Sequence, residues 1–260
     1  MSTPPPPGYR KVPSPIWPFE PHDVMFDVAP EALRDSRLFW VFFWPALSLL
    51  TGMTALYFAT TLNAFGLAPE EINHDAVFRS YYALLMASEI GFLWWFASWL
   101  KSRQLAAAVF DIRPARFGIE TGYGLVLFGM SFIFAIAAVD MLLPLLPVPD
   151  VPTPDRFNGG GLTGTLLVAA SVIIFAPLVE EIIMRGWLLP KLAARMGGWI
   201  WPILLSAGGF GLMHILVDVP TMIYATVLGI FAGLARRLTG RLWAPIVLHF
   251  VNNLVASLSF

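Results

Sequence analysis

The sequence contains no cysteine and few charged residues. Without cysteine the chain can form no disulfide and no thiolate metal site, and it has no thiol nucleophile. Asp, Glu, Lys and Arg make up only 13% of the residues, whereas soluble domains carry about 25%. The formal net charge is −1. The chain therefore lacks the excess of basic residues that is typical of nucleic-acid-binding proteins, and we expect no nucleic-acid partner.

Hydrophobic residues dominate the chain instead. They make up 57% of the 260 residues, and the mean hydropathy is +0.71. Because a membrane-spanning helix needs about 20 apolar residues, this composition predicts an all-α fold, a polytopic transmembrane helix bundle of about seven spans, with six or eight as alternatives. The predicted spans are 38–63, 79–100, 119–147, 162–189, 199–217, 220–235 and 242–260.

The predicted spans divide the chain into three regions. Residues 1–37 are polar and proline-rich, which predicts a mostly extended cytoplasmic tail. Residues 38–158 hold the N-terminal transmembrane helices, and residues 159–260 hold the region with candidate catalytic groups. The basic connection 101–118 contains an apolar stretch, so it is either a helix lying in the membrane interface or an ordinary loop.

Basic residues indicate the orientation in the membrane, because Lys and Arg collect in cytoplasmic segments. Of the sixteen Lys and Arg residues, fourteen fall on one side of the seven-span arrangement, and only Arg79 and Arg156 fall on the other. We therefore expect an integral protein of the plasma (inner) membrane with its N-terminus in the cytoplasm and its C-terminus outside.

Two adjacent acids interrupt an apolar run in the fourth predicted span. Glu180 and Glu181 are followed by Arg185, and each charge at the centre of a bilayer costs about 2.5–3.5 kcal/mol on insertion scales. Glu181 and Arg185 are four residues apart, so they share a helix face and can pair. Glu180 points about 100° away, which leaves it as the free acid of the doublet.

Further polar residues lie in the later apolar runs. Phe210 precedes His214 by one helical turn and can pack against its imidazole, while His249 and Asn253 share a helix face. Considered alone, the Glu181–Arg185 pair would be interpreted as structural and each histidine as a core histidine. Asn253 alone would be interpreted as a contact between helices. The neighbouring Asn252 is the alternative to Asn253 for the role of the amide. Two isolated acids, Glu89 and Asp140, are candidate functional or proton-linked groups.

Three short motifs occur in order within these spans. Residues 180–185 match EExxxR, residues 210–214 match FxxxH, and residues 249–253 match HxxxN. Each motif alone is weak, but together they resemble the CPBP (Abi, CAAX prenyl protease 2-like) family of intramembrane endopeptidases. The resemblance covers roughly residues 160–257 and implies hydrolysis of a peptide bond in a membrane-associated peptide or protein, next to the lipid bilayer.

The resemblance also implies roles for individual residues. Glu180, helped by His214, would activate a water for attack on the scissile carbonyl. His249 and Asn253 would stabilise the oxyanion, and Arg185 would orient the acids through Glu181. Preorganised donors of this kind are worth about 2.7–4 kcal/mol each in a dry site.

Several alternatives remain open from the sequence. A glutamate-type mechanism without a cofactor is favoured, because HExxH is absent and Asn is a poor zinc ligand; the alternative is Zn²⁺ held by Glu180, His214 and His249. A non-enzymatic membrane scaffold or chaperone on the same fold is the second functional hypothesis. A transporter using Glu89, Asp140 and Glu180 as a proton relay is the third. The sequence identifies neither the physiological substrate nor the oligomeric state.

Overall fold

A computed structural model describes residues 10–12, 22–24, 74–103, 105–146, 161–196, 198–215 and 217–258. Two three-residue strands, β1 (Arg10–Val12) and β2 (His22–Val24), pair antiparallel, with Arg10 opposite Val24. The remaining elements of the described residues are helices, which confirms the prediction of a helical membrane protein. The predicted first span, 38–63, lies outside the described residues.

The helices follow the apolar runs of the sequence. They are α1 (His74–Ser102), α2 (Ala106–Val109), α3 (Phe117–Leu142, continued by a 3₁₀ turn at Leu143–Leu145), α4 (161–196), α5 (Ile200–Met213), α6 (Val219–Thr239) and α7 (Trp243–Leu258). Helix α4 is one continuous run of five segments, in which α-helical and π-helical geometry alternate.

Four of these helices are long and apolar enough to cross a membrane. Their spans are Phe78–Ser102, Phe117–Leu145, Gly161–Ala193 and Val219–Thr239, which indicates an integral membrane protein. The predicted count of about seven is not confirmed over the described residues. Helices α5 and α7, predicted as spans 199–217 and 242–260, have only 14 and 16 residues, shorter than the usual requirement of about 20.

The helix observed at the sixth predicted span is longer than the apolar run that predicts it. Helix α6 has 21 residues, whereas the hydropathy pattern indicates 220–235. The Asp218 side chain accepts a 2.6 Å hydrogen bond from the Thr221 N–H at the start of α6, and Gly240 ends it with φ 72°. An N-cap carboxylate and a left-handed C-terminal glycine satisfy helix ends, so capping residues extend α6 beyond its apolar core.

The alternation within α4 coincides with two prolines. The π segments Ala169–Phe175 and Ile182–Leu188 each end two residues before a proline, Pro177 and Pro190. In an α-helix the proline ring clashes with the carbonyl four residues earlier. A wider π turn moves that carbonyl away, which explains why each widened segment precedes a proline.

The chain divides into two compact units, and the first contains residues 1–36, 100–150 and 180–252. Within this unit α6 packs against α5 and α3. Glycines allow the close approach: a Cβ on Gly211 would collide with Thr226 and the Met222 carbonyl, and a Cβ on Gly229 would lie 3.0 Å from Ala207. Small residues let membrane helices pack closely in this way.

The connection 101–118 also belongs to the first unit. It contains the four-residue α2, and Leu105 and Val109 are buried within the protein. Asp111 forms a 2.6 Å ion pair with Arg241, and its carbonyl accepts a 2.9 Å hydrogen bond from the Leu242 N–H. The connection is therefore packed against the protein, and its position at the membrane interface stays a prediction.

The second unit contains residues 37–99, 151–179 and 253–260. Phe92 and Phe96 are buried in α1, and their rings stack with centroids 5.4 Å apart. The buried hydroxyl of Ser171 donates a 3.2 Å hydrogen bond to the carbonyl of Tyr82, which ties the first part of α4 to α1.

Candidate active site

The centre of the candidate site is a buried ion pair on α4. Arg185 Nη1 lies 2.7 Å from Glu181 Oε1, and both side chains are buried. The predicted pairing of these two residues is thus confirmed. The guanidinium also donates from Nη2 to the Gly229 carbonyl at 3.0 Å, and its Cζ lies 4.8 Å from the centroid of the Phe210 ring.

The imidazole of His249 lies between the two acids. Its Nδ1 is 2.9 Å from Glu181 Oε1, and its Nε2 is 3.6 Å from Glu180 Oε2. A carboxylate at Nδ1 selects the form with hydrogen on that nitrogen and fixes the ring orientation. Nε2 is therefore the atom that faces Glu180, at a distance too long for a direct hydrogen bond.

The two acids differ in exposure. The Glu180 side chain is 23% exposed, whereas the Glu181 side chain is 1% exposed. Glu181 contacts both Arg185 and His249, while Glu180 is outside the ion pair, as the helical spacing predicts. Glu180 is accordingly the acid of the pair that a water or substrate can reach.

Phe210 connects the second histidine to this cluster. Its ring centroid lies 4.8 Å from that of His214 and 5.6 Å from that of His249, both with an edge-to-face geometry. The predicted contact between Phe210 and His214 is confirmed. The contacts of Phe210 with His249 and Arg185 join different helices, and no spacing within one motif predicts them.

His214 lies at the C-terminal end of α5. Its Nδ1 is 2.9 Å from the Phe210 carbonyl, one of the last carbonyls of the helix, which have no partner within it. This bond places the hydrogen on Nδ1, since a carbonyl only accepts. His214 can then accept a proton at Nε2.

The two neighbouring amides of α7 bind different partners. Asn252 Oδ1 accepts a 2.7 Å hydrogen bond from the Tyr224 hydroxyl, within the first unit. Asn253 Nδ2 donates a 2.8 Å hydrogen bond to the Val172 carbonyl, within the second unit. The contacts described here thus unite Glu180 with its three neighbours Glu181, Arg185 and His249, and add His214 through Phe210; the role of Asn253 stays a prediction.

The predicted zinc ligands do not form a metal-binding group. In the ranges that the structure describes, no group of three or more His, Cys, Asp and Glu side chains is arranged to hold a metal ion. Glu180, His214 and His249 do not form such a group, and the choice between no cofactor and Zn²⁺ stays a prediction. The two isolated acids, Glu89 and Asp140, lie in α1 and α3, in different units.

Comparison with known proteins supports the resemblance seen in the three motifs. The model of a family described as Rce1-like, type II CAAX prenyl endopeptidase, matches residues 162–255. This segment contains all six candidate site residues, and the match confirms the predicted resemblance there. No curated protein and no solved structure matches the chain.

Proposed function

We propose that this protein is an intramembrane endopeptidase of the CAAX-protease-like type, acting on a peptide bond of a membrane-associated peptide or protein. The family match over residues 162–255 supports the reaction class. The observation that carries the proposal is the arrangement of His249 between the two acids, at 2.9 Å from Glu181 and 3.6 Å from Glu180.

In this proposal Glu180 is the general base. Its carboxylate takes a proton from a water, with help from Nε2 of His214, and the water oxygen attacks the scissile carbonyl carbon. The resulting tetrahedral oxyanion collapses, the C–N bond breaks, and Glu180 returns the proton to the leaving amine. Positioned bases of this kind contribute typically about 10²–10⁴-fold to a rate.

The oxyanion is stabilised by His249; the second donor that the family resemblance implies, Asn253, is bonded to the Val172 carbonyl. His249 donates from Nε2, the ring nitrogen opposite the Nδ1 that lies 2.9 Å from Glu181. Arg185 and Glu181 act through His249, since they hold its Nδ1 in place.

We further propose that the reaction needs no cofactor, as in a glutamate-type protease. A carboxylate base and two histidines provide the proton transfers without a Lewis acid. Zn²⁺ is the alternative cofactor, and no step is assigned to it because its three proposed ligands are not arranged as a metal site.

The proposed topology gives the site access from the cytoplasm. Helix α4 carries Lys191 and Arg195 beyond the acid doublet, and basic residues mark the cytoplasmic end of a span. The N-terminus lies in the cytoplasm, the C-terminus lies outside, and the membrane is the plasma (inner) membrane. The substrate then enters from the cytoplasm or from the inner leaflet.

The proposal is tested with the purified full-length chain in liposomes. A library of lipid-anchored peptides is incubated with the protein, and released fragments are identified by mass spectrometry. We expect cleavage at defined bonds by the wild type. Uptake of a solute driven by a proton gradient, with no peptide cleaved, would instead support the transporter hypothesis.

A further inference from the structure

The carbonyl of Val172 lies at the position in α4 where Pro177 provides no backbone N–H to donate. In the preceding π segment each N–H bonds the carbonyl five residues earlier, as shown by the Ala176 N–H bonding to the Ser171 carbonyl. The next donor in this register would be residue 177, paired with the Val172 carbonyl. Residue 177 is proline, which has no N–H.

The Asn253 amide supplies the missing donor. Its Nδ2 lies 2.8 Å from the Val172 oxygen, and both groups belong to the second unit. Within the hydrocarbon region of a membrane no water replaces a lost backbone partner, and side chains of neighbouring helices commonly satisfy carbonyls freed by proline. The position and direction of this bond fit that purpose.

We propose that Asn253 is a positioning residue, which holds the widened segment of α4 in register immediately before the acid doublet. Pro177 precedes Glu180 by three residues on the same continuous helix. The turn on which Glu180 lies therefore begins at a proline break, and the bond from Asn253 to Val172 fixes the backbone at that break. This role is distinct from donation to an oxyanion, and it rests on contacts alone rather than on proteolytic activity.

A double-mutant cycle tests the positioning role. Pro177→Ala restores an N–H that can reach the Val172 carbonyl, so the structure then no longer depends on the side-chain donor. Asn253→Ala in the wild-type background should lower the melting temperature by roughly 2–10 °C, because a part-buried carbonyl loses its side-chain donor. In the Pro177→Ala background the same substitution should lower it by less than half as much.

Asn252→Ala is the matched control. It removes the neighbouring amide of the same helix, which accepts a hydrogen bond from Tyr224. Its effect on the melting temperature should be equal in the two backgrounds. An equal loss for Asn253→Ala in both backgrounds would overturn the positioning role.

Hydrogen exchange provides a second readout that does not need the proline variant. In Asn253→Ala, peptides covering 165–182 should exchange at least about tenfold faster than in the wild type. Local opening of this segment is then easier, because it no longer has to break the bond between Asn253 and the Val172 carbonyl. Peptides covering α6 should exchange at the wild-type rate. Unchanged exchange over 165–182 would also overturn the proposal, whether or not the protein cleaves peptides.

Discussion

Removing the guanidinium of Arg185 should destabilise the fold as well as the site. The side chain is buried and joins three groups: the Glu181 carboxylate at 2.7 Å, the Gly229 carbonyl at 3.0 Å and the Phe210 ring at 4.8 Å. In Arg185→Ala the buried Glu181 loses its only arginine partner described here. Breaking a buried ion pair from one side typically costs about 3–5 kcal/mol.

This free energy converts into a measurable shift. At about 2–4 °C per kcal/mol for chains of this size, the melting temperature of Arg185→Ala in detergent should fall by roughly 6–20 °C. The matched control is Arg237→Ala, which removes a half-buried guanidinium 5.0 Å from the Trp199 ring. That contact is worth about 0.5–1 kcal/mol at exposed sites, so the control should lose no more than about 4 °C.

A compensating substitution tests the cause of the loss. Glu181→Gln in the Arg185→Ala background removes the uncompensated carboxylate, so part of the lost stability should return. Such recovery is the mark of two coupled residues. A melting temperature of Arg185→Ala within about 2 °C of the wild type would refute the reasoning, since the buried pair would then contribute nothing.

Three further predictions concern packing, cofactor and orientation. Gly229→Ala should destabilise by about 1–3 kcal/mol, because its Cβ would lie 3.1 Å from Arg185 Nη2; Gly208→Ala, with open space around it, should be neutral or stabilising by thermal melting. Protein purified with a chelator should keep its activity with well under one zinc per chain, and activity that returns only with added Zn²⁺ would contradict the glutamate-type mechanism. A cysteine replacing Leu146 should react with an impermeant thiol reagent in intact cells and one replacing Arg195 should not, and the reverse pattern would invert the topology.

The sequence predicts those parts of the site that depend on spacing within one helix. The pairing of Glu181 with Arg185, the separation of Glu180 from that pair, and the packing of Phe210 on His214 all follow from 3.6 residues per turn. Each is observed within the first unit of the chain. The apolar runs likewise predict the helices that the structure describes.

The sequence does not predict contacts that join separate helices. The bond from His249 to Glu181 connects residues 68 positions apart, and the bond from Arg185 to Gly229 connects residues 44 positions apart. Both depend on how helices pack, which local periodicity does not encode. Hydropathy also overestimated α5, because its apolar segment ends at the C-cap His214 before it reaches the length of a span.

The π segments show an intermediate case. Pro177 indicates a break in α4, and a kink is the usual expectation from a proline within a helix. The form of the break, a widened turn with the Val172 carbonyl bonded by Asn253, requires the position of a second helix. The sequence therefore locates the irregularity, and tertiary packing determines its geometry.

The central claim is that Glu180 is the general base of a peptidase. The most direct measurement is the cleavage rate of Glu180→Gln on a lipid-anchored peptide that the wild type cleaves, together with its melting temperature. Because Glu180 is partly exposed and outside the ion pair, we predict a fall in rate of at least about 10²-fold with little change in melting temperature. A well-folded Glu180→Gln protein that keeps more than roughly a tenth of the wild-type rate would contradict the account, since loss of a general base costs more than that.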